Sequence, residues 1–322
     1  MIRAGAKELR RTGRVVWETL DEFLSDDCPQ MAAAISFYTL FSLPPLLVLI
    51  TMLVEPFLTT ETVVTVIEEE VREMVGARAA EQVTVLLENV SRPGQGGPIA
   101  ATLGIIAFLF GATAAFSQLQ AALNAAWQVG PDPRRKDVVN FLLKRVLSFA
   151  MILVMGALVV GSLVLSALVQ GVGDALDAIA PAAPSAPILR ILDASITFTV
   201  LALLFTAMYR FLPDARVSTS SALFGGLVTA ILFTAGKTAI GYYLGSSDPA
   251  SAFGAAGSLA LILIWIYYSS MILLLGAEFT QVWMSRRGQP IEPEVGAVRV
   301  IRRQERYDPE NEKRIEPDVA DR

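Results

Sequence analysis

Long apolar runs alternate with short charged segments along the chain, and that alternation predicts the fold. Runs of about 18 or more apolar residues lie at approximately 30–54, 99–120, 146–170, 188–212, 219–244 and 256–284. About 20 helical residues cross a hydrocarbon core of about 30 Å, and a lone strand in lipid would leave its backbone groups unpaired. Each run therefore reads as a transmembrane helix. The loop 55–98 has a different pattern. Val63, Val64, Ile67, Val71, Met74 and Val75 recur at helical spacing, and after Gly76 so do Val83, Leu86, Leu87 and Val90, which predicts two amphipathic helices outside the membrane. "RRKDVVNFLLKR", before the third span, predicts a helix at the membrane surface. The expected fold class is all-α: a polytopic membrane protein with six transmembrane helices and amphipathic helices in its first outer loop. It divides into an amphipathic N-terminal segment (1–29), a membrane domain (30–284) and a flexible, charged tail (285–322).

Composition agrees and narrows the chemistry. Of 322 residues, 53% are hydrophobic and 18% charged, and the mean hydropathy is +0.52, too apolar for an ordinary soluble domain. A net charge of -5 gives no global basic field for nucleic acid. The chain has no histidine and one cysteine, which removes the commonest general base, the commonest metal ligand and any disulfide framework. No catalytic, cofactor-binding or metal-ligating set is read, and no Walker-type phosphate loop appears. Nothing at the N-terminus reads as a removable signal peptide.

Lysine and arginine set the expected orientation. Arg3, Lys7, Arg10, Arg11 and Arg14 precede the first span; Arg134, Arg135, Lys136, Lys144 and Arg145 lie between the second and third; Arg210 and Arg216 follow the fourth, and Arg286 and Arg287 the sixth. All four groups fall on one side of a six-span topology, so both termini of a multi-pass protein are expected in the cytoplasm.

Polar groups inside the spans mark candidate functional positions, because an ionisable side chain at mid-bilayer costs about 3 kcal/mol. Lys237 lies in the fifth span within snorkelling reach of its outer end, where Glu55, just before Pro56, is the natural partner. Glu278 lies in the sixth. At its depth the candidates are Arg210, Asp26 and Asp27, and Gln118, Gln120 and Asn124 of the second span. Asp26 or Asp27 can cap the first span while Pro29 occupies its first turn. Pro44 and Pro45 should kink that helix and free the carbonyls near Leu40 and Phe41, with Thr39 and Ser42 close enough to help. Dense small residues, including Gly225 and Gly226, predict closely packed helices. Trp265, Tyr267 and Tyr268, near mid-span, call for partners inside the bundle.

"DDCPQMAAAISFYTLFSLPPLLVLI", "GATAAFSQLQAALNAAW", "MYRFLPDARVS" and "FGAAGSLALILIWIYYSSMILLLGAEF" occur in the order and at about the spacing of the YihY/BrkB family of bacterial inner-membrane proteins, which the chain resembles over roughly residues 10–288. The resemblance implies a six-helix integral membrane protein. Family members have been named virulence or serum-resistance factors, and some carried a ribonuclease BN label. Its matched polar positions are Asp27, Ser36, Tyr38, Gln120, Asn124, Arg210, Pro213 and Glu278. The chain has Pro44 and Pro45 together where the family pattern usually carries one proline.

The leading functional expectation is a transporter or lipid-translocating protein of the cell envelope, not an enzyme. It rests on the proline-broken first span, charges at two depths and abundant small residues, since discontinuous helices often surround membrane-level sites. The alternative is a structural or scaffolding envelope protein. A ribonuclease comes third, since metal-assisted cleavage wants clustered carboxylates or histidines beside a basic groove. Expected partners are membrane lipids, other envelope proteins or a second copy of the chain, and no nucleic acid.

Overall fold

A computed structural model describes residues 2–54, 114–132, 185–247, 257–300, 306–308 and 313–315, with scattered positions between 65 and 84 and between 158 and 171. Most of these residues are helical. Helix α1 spans Ile2–Ser25 and α2 spans Cys28–Val54; α3 covers residues 114–126, α4 Ser185–Phe211, α5 Thr219–Ser247 and α6 Gly257–Arg286. Among the described residues three helices are long and apolar enough to cross a membrane, at Pro187–Phe211, Thr219–Ile240 and Leu259–Arg286. They coincide with the expected fourth, fifth and sixth spans. Most of the second and third expected spans lies outside the described residues. In the expected outer loop the few described positions are helical, and the Thr84 hydroxyl donates to the Ala80 carbonyl four residues back (3.1 Å).

The helices pack in a chain: α4 on α5, α5 on α6, and α6 on both α2 and α1. Two close approaches fix the α4–α5–α6 junction. A Cβ on Gly226 would run into Thr206 and the Ala202 carbonyl of α4, and one on Gly276 into Thr229 of α5 and the Tyr209 hydroxyl. At Gly226 the two backbones meet directly, and at Gly276 side chains of α4 and α5 reach the α6 backbone, as the density of small residues predicts. Away from these seams large apolar side chains are exposed, among them Ile188, Ile191, Phe211 and Ile231. On helices apolar all round, that exposure is what lipid contact requires.

Asp27 forms the joint between α1 and α2. Its φ is +56°, in the left-handed region that aspartate tolerates better than most residues. Its amide closes α1 onto the Leu24 carbonyl, and its own carbonyl accepts from Gln30 and Met31 to open α2. The start of α2 is therefore made through the Asp27 backbone. Helix α2 runs on through Pro44 and Pro45 to Val54. The proline side chains, and with them the expected kink, lie outside the described residues. The Ser42 hydroxyl donates to the Thr39 carbonyl (2.8 Å), in the turn just before the carbonyls of Leu40 and Phe41.

The chain beyond α6 differs from the free extension expected from residue 285. Helix α6 ends on Gly288, whose φ of +70° lets the amide of Gln289 return to the Met284 carbonyl. Short antiparallel strands follow. β3 (Glu292–Pro293) pairs with β2 (Ala215–Arg216) in the α4–α5 connection, and β4 (Ala297–Arg299) pairs with β1 (Val129–Pro131) just after α3. Ile291 is buried in the same core as Trp127, Leu212 and Met284. A few ladder bonds and one apolar anchor order this stretch, although its composition reads as solvated. A last pair, β5 (Arg306–Asp308) with β6 (Lys313–Ile315), lies further along.

Candidate functional site

The buried core gathers where the C-terminal ends of α1, α3, α4 and α6 meet the starts of α2 and α5. Three polar groupings sit in it, and they differ in how fully they are satisfied.

The first is a lock between α3 and the α4–α5 connection. Asn124 donates from Nδ2 to Asp214 Oδ2 (3.0 Å) and accepts from the Asp214 amide on Oδ1 (2.7 Å). Gln120, one turn earlier on α3, donates to the other carboxylate oxygen (3.4 Å). Arg210 donates to the Val217 carbonyl and so closes the connection on itself. Leu212–Ala215 is buried throughout, so Pro213 and Asp214 lie in the protein interior although they connect two helices.

The second grouping joins three helices through backbone carbonyls. The fully buried Tyr209 donates to the Leu273 carbonyl (2.7 Å) and shares a hydrogen bond with Thr229 Oγ1 (2.9 Å). Trp127 Nε1 donates to the Ala277 carbonyl (3.1 Å). In α6, Thr280 Oγ1 returns to the Gly276 carbonyl (2.7 Å). An aromatic body with one polar tip suits such a place, filling volume while its donor finds a partner.

The third is Glu278, with 0% exposure. Its Oε1 accepts from the Cys28 thiol at the start of α2 (3.4 Å), and a thiol is a weak donor. Its Oε2 lies 3.0 Å from the side-chain nitrogen of Gln281, with the amide turned so that this nitrogen also serves the Ala126 carbonyl at the end of α3. Among the described residues no lysine or arginine reaches Glu278. The charged groups that act on it are carboxylates, Asp26 just after α1 and then Glu22 on α1. Asp26 is 8% exposed, whereas Asp27 points outward. Eight residues further along α6, Arg286 is paired, donating to Glu18 from Nε (2.7 Å) and from its terminal nitrogen (2.5 Å). That hydrogen bond holds the Glu18 carboxyl below its ordinary value of 4.5.

The sequence-predicted positions thus divide. Gln120 and Asn124 come together, around Asp214. Glu278 meets Cys28 and Gln281, while Arg210 and Asp27 serve turns. Lys237 is half-buried in α5, and its expected partner Glu55 lies outside the described residues. Asp214, Cys28, Gln281 and Tyr209 were not singled out by the sequence. Gln281 carried a readable signal, since it stands three residues after Glu278 and so shares its helix face. Among the described residues no three His, Cys, Asp or Glu side chains come together as a metal site. The arrangement offers one fully buried carboxyl, with two more acting on it from the end of α1, that can exchange a proton or meet a cationic group.

The family described as "Virulence factor BrkB" matches residues 19–297. Three bacterial relatives are each described as a UPF0761 membrane protein. That of Alkalilimnicola ehrlichii is 30% identical, over 82% of this chain and 57% of its own length. That of Pseudomonas aeruginosa strain LESB58 is 30% identical over 87% and 66%, and that of Photobacterium profundum is 26% identical over 85% and 84%. The chain thus spans less than two thirds of the first two relatives. No solved structure matches it.

Proposed function

The chain belongs to the virulence factor BrkB family of membrane proteins, and from that premise we propose that it moves a solute or a lipid across the bacterial inner membrane, with both termini in the cytoplasm. The carrying observation is Glu278, a fully buried carboxyl with a thiol and one amide for partners and two carboxylates as the charges nearest to act on it. A permanent anion in such a place is costly, and ionisable groups kept inside membrane helices commonly mark ion, proton or substrate pathways. In this reading Glu278 changes its proton or its pairing during transport, and Asp26 and Glu22 lead to it from the cytoplasmic side. The orientation is supported by Arg210, Arg216, Arg286 and Arg287, which lie at the same end of the bundle as the α1–α2 joint. The protein is not an enzyme in this reading, and membrane lipids are its surroundings and candidate cargo.

The test is reconstitution of the purified protein in liposomes carrying labelled phospholipid or a panel of small ions. Flux above that of empty vesicles is expected, and Glu278→Gln should abolish it while remaining monodisperse. Folded wild-type protein that moves neither lipids nor ions would overturn the proposal. Cleavage of RNA by highly purified protein, lost on changing Asp26 and Asp27, would replace it with an enzymatic function.

A scaffolding role is favoured by a separate observation, the saturation of Asp214 and Tyr209. It predicts that Glu278→Gln lowers the amount of folded protein and has no separate effect on flux.

A further inference from the structure

Among the described side chains of α1, from Gly13 onward, one face packs on the protein. Val15, Thr19 and Phe23 are buried, and Glu18 beside them holds Arg286 of α6. On the adjoining face Val16, Trp17, Leu20 and Leu24 are exposed, at 51, 72, 42 and 66%. Their spacing places them on one side of a helix, so they form a continuous apolar strip. The third face is basic. Arg3, Lys7, Arg10 and Arg14 recur every three or four residues with Arg11 beside them, and Arg14 is exposed. At about 100° per residue Arg3, Lys7, Arg10 and Arg14 fall beside the apolar strip on the side away from Val15, Thr19 and Phe23, a flank that Asp21 shares, with Arg11 further round toward Glu18.

The depth of α1 follows from its tie to α6. Trp17 is next to Glu18, whose partner Arg286 ends the last spanning helix. One turn before that end, Trp283 stacks on Phe224 with ring centroids 4.6 Å apart, and the Arg287 guanidinium lies 4.4 Å from the Trp283 ring centre. Tryptophan and arginine gather in this way at the boundary between hydrocarbon and headgroups. A helix at that level, with an apolar strip beside a row of cations, has the composition of one lying in the membrane surface.

We propose that α1 is seated on the anionic leaflet of the membrane, with Val16, Trp17, Leu20 and Leu24 entering the acyl boundary and the basic row, Arg10, Arg11 and Arg14 above all, meeting the headgroups of anionic phospholipids. Depth and charge select this occupant over a second copy of the chain: the strip lies level with the Trp283–Arg287 boundary, and α1 carries Arg3, Lys7, Arg10, Arg11 and Arg14. The surface is separate from Glu278 and does not depend on what the protein transports.

Tryptophan fluorescence of the full chain in bilayers with brominated acyl chains tests the proposal, the Trp17 signal being the wild type minus Trp17→Phe. Quenching of Trp17 is expected, and more by brominated phosphatidylglycerol than by brominated phosphatidylcholine at equal mole fraction. Replacing Arg10, Arg11 and Arg14 by Gln should erase that preference, by about two- to fivefold per cation, without changing helical content. Should Trp17→Phe not fold, Leu24→Trp in the wild-type chain reads the same strip as an added quenched signal. No quenching, or equal quenching by both lipids, would overturn the proposal. Shielding that grows with the protein-to-lipid ratio would do so too, by putting a second copy on the strip.

Discussion

Asp214 and Glu278 are buried carboxylates in the same polar end of the bundle, at 5% and 0% exposure, and they are held in opposite ways. Asp214 is gripped from both sides by Asn124, with Gln120 on its second oxygen. Glu278 has a weak thiol donor and a single amide, with more carboxylate beyond them. A group whose purpose is to hold helices together gains from every additional donor, because a buried acceptor left unmet costs free energy. A group that must gain and lose a proton or a cationic partner is better served by few fixed donors. The first arrangement belongs to the architecture, and the second is where activity should be sought.

That contrast breaks most sharply under substitution. Glu278→Gln should reduce flux in proteoliposomes to the level of empty vesicles while the melting temperature in detergent stays close to wild type. An equal loss of both would make Glu278 another lock. Asn124→Ala should do the reverse, costing about 3 kcal/mol of stability by leaving Asp214 buried with unmet oxygens, and lowering flux only in proportion to folded protein. Gly276→Ala pushes a methyl group toward Thr229 and Tyr209, and about 1–2 kcal/mol of overpacking is expected, read as a lower melting temperature. The smallest effect is at Glu18, whose pair with Arg286 is partly in water. Glu18→Gln should cost less than about 1 kcal/mol, and less again in high salt. Because folding lowers the Glu18 pKa below 4.5, the unfolded chain binds the proton more readily. The contribution is therefore present above about pH 4.5 and lost as the pH falls through the folded value. Melting curves of wild type and Glu18→Gln should converge there.

The spanning helices were legible because a run of 20 apolar residues has few alternatives. The common depth of Gln120, Asn124 and Glu278 could also be read, by counting residues from the charged flanks. Their partners could not. A helix that is apolar all round, as α4, α5 and α6 are, carries no stripe to fix its rotation, so the sequence offered Asn124 to Glu278 when the fold gives it to Asp214. Asp214 gives no signal of its own, because an aspartate after a proline between two helices has the pattern of an exposed turn. The strands at 292–299 are shorter than any periodicity can register, and "IEPEVGAVRV" has the charge and proline content of a tail.

Those strands also constrain the order in which the molecule is assembled. Val129 finds its ladder partner only at Arg299, and Ala215 only at Pro293. During synthesis both connections must therefore wait, unpaired, until α6 has been inserted and the residues after it have emerged. Closure can come only after α6, and it ties the stretch after α3 and the α4–α5 connection to the same short segment. A chain halted after Arg286 would hold every apolar helix described above yet lack the segment that completes them. Truncations and tags should accordingly be placed beyond Val300.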